Sequence, residues 1–136
     1  MANSKTKSIL VIMARLLLGF IFAVFGLNFF FPFIKALMPT GIAGAFVGGL
    51  FQSGYFFQFL KVIESLSGLL LLIGWFTPLV LVVLFPISLN IFLFHAFLEP
   101  AGVPIAGVII LLHLFLAWSY RSYYKPLFTL HASPEL

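Results

Sequence analysis

Residues 55–76 read Tyr55-Phe-Phe-Gln-Phe-Leu-Lys-Val-Ile-Glu-Ser-Leu-Ser-Gly-Leu-Leu-Leu-Leu-Ile-Gly-Trp-Phe76. The run meets the roughly 20 apolar residues that a helix needs to cross a bilayer. Lys61 and Glu64 interrupt it. The chain has only three acidic residues, and one of them stands where lipid is expected. A carboxylate at that depth costs about 3 kcal/mol or more unless something neutralises it. Glu64 is therefore a marker of the fold and the first candidate functional residue.

Three more runs of this kind flank it. Residues 8–31 are interrupted by Arg15 and Asn28, residues 78–98 hold Pro86, Asn90 and His95, and residues 103–120 hold His113. With residues 54–76 they predict four spans. The links Thr77-Pro78 and Glu99-Pro100-Ala-Gly-Val-Pro104 are short, so consecutive helices should be antiparallel neighbours. The expected fold is all-α, an integral-membrane up-down four-helix bundle forming one domain over residues 1–136. Thr77 can cap the third span, and Pro78 suits its first turn. The stretch Pro32 to Ser53 is apolar but broken by Gly41, Gly44, Gly48 and Gly49. It reads either as an ordered loop packed on the bundle or as a short amphipathic or re-entrant helix that caps a cavity.

Composition agrees. The chain is 63% hydrophobic and 7% charged, with a mean hydropathy of +1.24, whereas soluble domains carry about 25% charge. It has no cysteine, which excludes disulfides, thiolate metal sites and thiol redox chemistry by this chain alone. The net charge of +4 sits mostly at the two ends, with no basic cluster suited to nucleic acid. Lys5 and Lys7 precede the first span, and Arg121 and Lys125 follow the last. The positive-inside rule then predicts both termini in the cytoplasm, with Lys35 as a contrary vote. Trp75-Phe76, Trp118, Tyr120, Tyr123 and Tyr124 fit an aromatic belt on that side. Arg15 and the lack of a small-residue cleavage site argue against a cleaved leader.

At about 1.5 Å per residue, Glu64 falls near the midplane and Arg15 nearer the cytoplasmic face. A long Arg side chain can close that gap, so an Arg15–Glu64 ion pair is expected. It reads as a register-fixing pair, as the wall of a ligand or proton site, or as both. Arg15, Gly19, Phe22 and Gly26 share one stripe, and its glycines, with Gly68 on the second span, let helices approach closely. Lys61 is expected to snorkel to the headgroups. His113 reads as a helix–helix hydrogen bonder or a proton-handling group. His95 and Glu99 share a face with Ser88 and Phe92 and could bind a metal, a proton or a polar headgroup; two ligands make a weak metal signal, and no third is evident. Asn90, about 140° around the helix from His95, could close the hydrogen-bond deficit left by Pro86 or bond to another helix. Asn28 points away from the Arg15 stripe.

These placements predict two polar layers. Glu64, Arg15 and His113 form the midplane layer. His95, Glu99, Asn28 and Lys61 form the outer one. Nineteen phenylalanines surround them. A cavity with an aromatic wall and few convergent polar groups suits a small amphipathic ligand, such as a quinone or a lipid head. No HExxH, nucleophile elbow or phosphate loop occurs.

Two short motifs then point to a family. Arg15-Leu-Leu-Leu-Gly19-Phe-Ile-Phe22 followed by Gly26, and Val62-Ile-Glu64-Ser-Leu-Ser-Gly68 with Leu72 and Gly74, resemble the DoxX family of small four-span membrane proteins, as does the spacing from Pro78 to His95. The resemblance covers nearly the whole chain and implies a four-helix membrane bundle. It does not imply one activity: the family's name derives from a thiosulfate:quinone oxidoreductase, related proteins act in membrane complexes for thiol oxidation or detoxification, and a distant relative is a receptor-assembly chaperone. The family often carries a Lys or His shortly after the second glycine of span one, where this chain reads Gly26-Leu-Asn28-Phe-Phe-Phe31.

Three functions compete on this reading. The first is an accessory subunit of a membrane redox system, with quinone bound beside Glu64, Arg15 and His113 and a redox enzyme as partner. The second is an assembly factor without chemistry, docking partner helices on Phe-rich faces. The third is a small transporter or lipid-handling protein, which would need a homo-oligomer. A bacterial inner membrane is the expected location.

Overall fold

The computed structural model describes residues 4–135. It contains helices α1 (Ser4–Phe30), α2 (Gly41–Gln52), α3 (Phe56–Ile73), α4 (Thr77–Phe97) and α5 (Val103–Ser119). Short 3-10 turns follow at Pro100–Gly102, Arg121–Tyr123 and Lys125–Phe128. There is no strand among the described residues. Ser4–Phe30, Phe56–Ile73, Thr77–Phe97 and Pro100–Ser119 are long and apolar enough to cross a membrane. The 12 residues of α2 reach only about 18 Å and cannot.

The four long helices form an up-down bundle. Its most intimate seam joins α1 to α3, where Gly19 lies against Leu71 and Gly26 against Ser65, an antiparallel register. A methyl group on Gly19 would sit 2.9 Å from the Leu71 Cβ, and one on Gly26 would sit 2.5 Å from the Ser65 Oγ. A methyl group on Gly68 would strike the Ala23 backbone. The expected glycine stripe is thus the contact itself. α4 packs on α5, and the α1–α5 and α3–α4 contacts close the ring. The proximal end carries the start of α1, the α3–α4 turn and the end of α5, and the distal end carries α2 and the α4–α5 link.

Leu18 and Phe22 of α1, Leu71 of α3, Leu81 and Leu84 of α4 and Leu116 of α5 fill the centre. Ile9, Leu17 and Phe20 of α1, Leu66 and Leu69 of α3, and Leu111 and Leu114 of α5 face outward. An apolar rind around an apolar core suits lipid contact. In lipid, close packing and interhelical hydrogen bonds hold helices together, since hydrophobic burial no longer favours one side.

Local chemistry sets the joints. After α1, the Asn28 Oδ1 accepts from the Phe33 and Ile34 amides at 3.0 and 2.7 Å, and its Nδ2 donates to the Ile34 carbonyl at 3.0 Å. Asn28 thus builds the turn out of α1. Between α2 and α3, the Ser53 hydroxyl donates to the Leu50 carbonyl at 2.7 Å and accepts from the Phe56 amide at 3.1 Å. One side chain closes one helix and opens the next. α3 ends at Gly74, whose φ of +78° suits glycine and lets the Gly74 and Trp75 amides both reach the Leu70 carbonyl. Thr77 does not cap α4 as expected. It is the first helical residue, buried, and the cap position falls to Phe76 in a left-handed conformation with no side-chain bond.

Candidate functional site

The distal half of the bundle holds a half-open pocket of about 410 Å³ to which all five helices contribute. The volume lies within the roughly 300–1,000 Å³ range of ligand pockets. Its apolar lining includes Phe22 and Phe25 of α1, Phe57 of α3, Phe94 of α4 and Ile105 of α5. Phe46, Val47 and Leu50 of α2 complete it. The glycine-broken stretch is therefore a helix that walls a cavity, the second of its two readings. Phe51 of α2 stacks on Phe57 of α3 with ring centres 4.1 Å apart and lies 6.0 Å from Phe29 of α1, and Phe46 of α2 lies 5.7 Å from Phe94 of α4. These ring contacts seat α2 on α1, α3 and α4.

Four polar side chains line the cavity: Lys61 and Glu64 from α3, and Asn90 and His95 from α4. The Glu64 carboxylate is 3% exposed, and its Oε2 accepts from the Lys61 Nζ at 2.6 Å. The Lys61 ammonium also lies 5.3 Å from the centre of the Phe57 ring, a cation–π distance. The expected Arg15–Glu64 pair does not form. Lys61, one turn away on the same helix, meets the carboxylate first. Lys61 accordingly turns inward and does not snorkel. The sequence signal for this pair was the three-residue spacing itself.

On α4, the His95 Nδ1 lies 3.1 Å from the Glu99 carbonyl. A carbonyl only accepts, so Nδ1 carries the proton and Nε2 has no partner among the described residues. The expected His95–Glu99 partnership is thus made through the Glu99 backbone, and the Glu99 carboxylate does not line the cavity. The His95 ring fills the space a side chain on Gly102 would need, which holds the ring against the α4–α5 link. Asn90 makes no hydrogen bond among the described residues and neither repairs the Pro86 deficit nor bonds another helix. Asn90 and His95 lie at the two edges of an α4 face centred on Ile91 and Phe94, so a 140° separation still leaves both on the cavity wall.

Two candidates lie elsewhere. The Arg15 Nη1 donates to the Leu71 carbonyl at 2.5 Å and to that of Leu72 at 3.4 Å. These carbonyls belong to the last turn of α3, where helix geometry leaves acceptors without amides and partial negative charge accumulates. Arg15 is a C-terminal cap supplied by a neighbouring helix. Its guanidinium occupies the space that a side chain on Gly74 would need, so the glycine serves both the turn and the cap.

His113 is 1% exposed and is also outside the cavity. Its Nε2 lies 2.9 Å from the Leu81 carbonyl and its Nδ1 lies 2.8 Å from the Ser88 Oγ. Nε2 must donate, so in the neutral ring Nδ1 accepts from the serine hydroxyl. Leu81 and Ser88 flank Pro86, which removes one donor from the interior of α4. His113 thus fastens α5 to α4 on both sides of the proline. Ser88 serves this bond and not the His95–Glu99 face. The expected midplane layer of Glu64, Arg15 and His113 therefore separates into a cavity residue, a cap and a staple.

The polar groups of the pocket are an ammonium–carboxylate pair from α3 and a free amide and a free imidazole nitrogen from α4. No group of three metal-ligating side chains converges among the described residues. Together, the four apolar spans and the polar patch fit a multi-pass membrane protein with a half-open pocket in its distal half. No family model matches the chain, and no curated protein or solved structure is significantly similar to it.

Proposed function

We propose that the distal cavity binds a small amphipathic ligand of the quinone type, and that the chain is a DoxX-like accessory subunit of a membrane redox system. One observation carries this reading: unpartnered hydrogen-bonding groups share an aromatic-walled pocket with a buried ion pair. A quinone head presents two carbonyl acceptors across a flat ring. The Asn90 amide and the Lys61 ammonium supply donors for them. In the quinol, the hydroxyls become donors, and the His95 Nε2 and the Glu64 carboxylate supply acceptors. The phenylalanines match the ring and the start of its tail. Electron transfer falls to a partner enzyme, and the chain contributes binding and orientation. By the positive-inside rule, the proximal end faces the cytoplasm, which sets the cavity toward the far face of a bacterial inner membrane.

The test is titration of the purified chain in lipid nanodiscs with a short-chain benzoquinone. Asn90→Ala and Glu64→Gln should each weaken binding about tenfold, the equivalent of ~1.4 kcal/mol for a lost hydrogen bond to a buried or charged group. Unchanged binding in both variants, or no binding by the native chain, overturns the assignment.

A further inference from the structure

A second concavity lies at the other end of the molecule, between α1 and the end of α5. It is an open groove of about 710 Å³. It is lined by the cations Lys7 of α1 and Arg121 just past α5, and by the apolar Leu10 and Val11 of α1 and Phe115 and Trp118 of α5. No acidic residue lines it. Of the three acids, Glu64 is paired in the distal half, Glu99 sits in the distal link, and Glu135 makes no ion pair among the described residues. Two cations therefore share a groove that no acidic side chain lines among the described residues.

Arg121 is already positioned. Its Nη1 donates to the Trp118 carbonyl at 2.9 Å, and its guanidinium centre lies 4.5 Å from the centre of the Trp118 ring. One donor is used, and the remaining edge of the fork stays free. Lys7 makes no ion pair among the described residues. Guanidinium and ammonium groups beside one another recognise phosphate oxygens. The apolar lining then selects the source of the phosphate. Leu10, Val11 and Phe115 belong to spanning segments, so the groove includes surface that lipid covers. A free phosphate ion would leave that lining unused, whereas a phospholipid matches both parts.

We infer that the groove between α1 and α5 is a binding site for one anionic phospholipid, with its headgroup phosphate between Lys7 and Arg121 and its acyl chain along Leu10, Val11 and Phe115. The site is independent of the distal cavity and of its ligand.

Trp118 supplies a direct reporter. The chain has two tryptophans, so Trp75→Phe leaves Trp118 alone; Trp75 is exposed and lines neither concavity. The full chain is reconstituted in mixed phosphatidylcholine and phosphatidylglycerol vesicles, with brominated chains on one lipid or the other. Trp118 quenching should favour brominated phosphatidylglycerol, by roughly fivefold for each cation. Lys7→Gln with Arg121→Gln should remove the preference while quenching by brominated phosphatidylcholine persists, which shows that the variant remains inserted. Lys5→Gln with Lys125→Gln, at the same end but outside the groove, should leave the preference intact. Equal quenching by the two lipids in the native groove overturns the inference. So does an equal loss from the Lys5 and Lys125 changes, which would indicate diffuse surface attraction. Displacement of the lipid by millimolar inorganic phosphate would show a phosphate site in its place.

Discussion

The proximal and distal halves of this bundle use the same scarce polar vocabulary in opposite ways. In the proximal half, Arg15 spends its hydrogen bonds on carbonyls that the end of α3 leaves open, and His113 spends its own on the Leu81 carbonyl and the Ser88 hydroxyl. In the distal half, Lys61 and Glu64 satisfy each other, while Asn90 and the His95 Nε2 remain open to a cavity. An intramembrane charge is thus no single kind of evidence. What separates structural from functional use is whether protein backbone is near enough to consume the donors. Arg15 reaches the end of a helix, but Glu64 lies mid-helix, where every neighbouring carbonyl and amide is already engaged.

The seam that holds the two halves together is the most vulnerable place. Gly68→Leu should abolish folded protein, because even a Cβ there meets the Ala23 main chain, and main chain cannot yield as a side chain does. The expected reading is loss of the monodisperse peak on size-exclusion chromatography in detergent. A well-folded Gly68→Leu protein would mean that the α1–α3 spacing is adjustable and that the two halves are not rigidly joined.

The distal pair offers the sharpest break of the contrast. Lys61→Met leaves a buried carboxylate without a partner and should cost about 3 kcal/mol or more in denaturant unfolding. Replacing both, Lys61→Met with Glu64→Met, should restore stability to about that of the native chain, because a buried ion pair is often no better than apolar packing. The same double variant should lose quinone binding. If the double variant is as unstable as the single one, the pair is structural, and the distal half works like the proximal half.

Much of this arrangement was legible in the residues, and the exceptions have definite causes. The spans follow from run length, and the close α1–α3 seam from Gly19, Gly26 and Gly68 on facing stripes. Pairing was harder. Depth along helices made Arg15 and Glu64 plausible partners, but depth ignores competition: Lys61 is one turn from Glu64, and the open carbonyls of Leu71 and Leu72 are nearer to Arg15 than any carboxylate. Gly74 was the signal for that second fact, since a glycine after an apolar run marks a helix end and therefore free acceptors. The α2 wall of the cavity was not legible, because four glycines in a short apolar stretch serve a loop as well as a helix.

The proximal half should show the opposite pattern to the distal pair, with stability affected and ligand binding spared. Arg15→Met leaves the α3 carbonyls of Leu71 and Leu72 uncapped and should cost about 2 kcal/mol, the range for a charge-assisted bond. His113→Leu removes bonds to the Leu81 carbonyl and Ser88 and should cost about 1–2 kcal/mol. Both variants should bind the short-chain benzoquinone with native affinity once folded. A tenfold loss of quinone affinity in His113→Leu would connect the staple to the cavity and end the division between halves.

Tyr124 is the exception within the proximal half, and it yields the smallest predicted effect. Its hydroxyl is buried with no hydrogen-bond partner, beside a small hollow of about 180 Å³ that it shares with Phe85 and the His113 ring. Burial, followed by the neighbouring Tyr120, pushes the Tyr124 phenol above its ordinary range. The folded protein therefore keeps that proton to higher pH than the unfolded chain, which releases it near ~10. The associated stability is complete below that pH and is lost as pH rises through the raised folded value. Tyr124→Phe removes both the unsatisfied hydroxyl and the titration. It should stabilise the protein by ~1 kcal/mol at neutral pH, the lower end of what a buried unpaired polar group costs, and its melting temperature should fall less than the native chain's above pH 10. A destabilised Tyr124→Phe protein would mean that the hydroxyl has a partner at neutral pH. Tyr124 would then follow the rule set by Arg15 and His113, in which every proximal polar group is consumed.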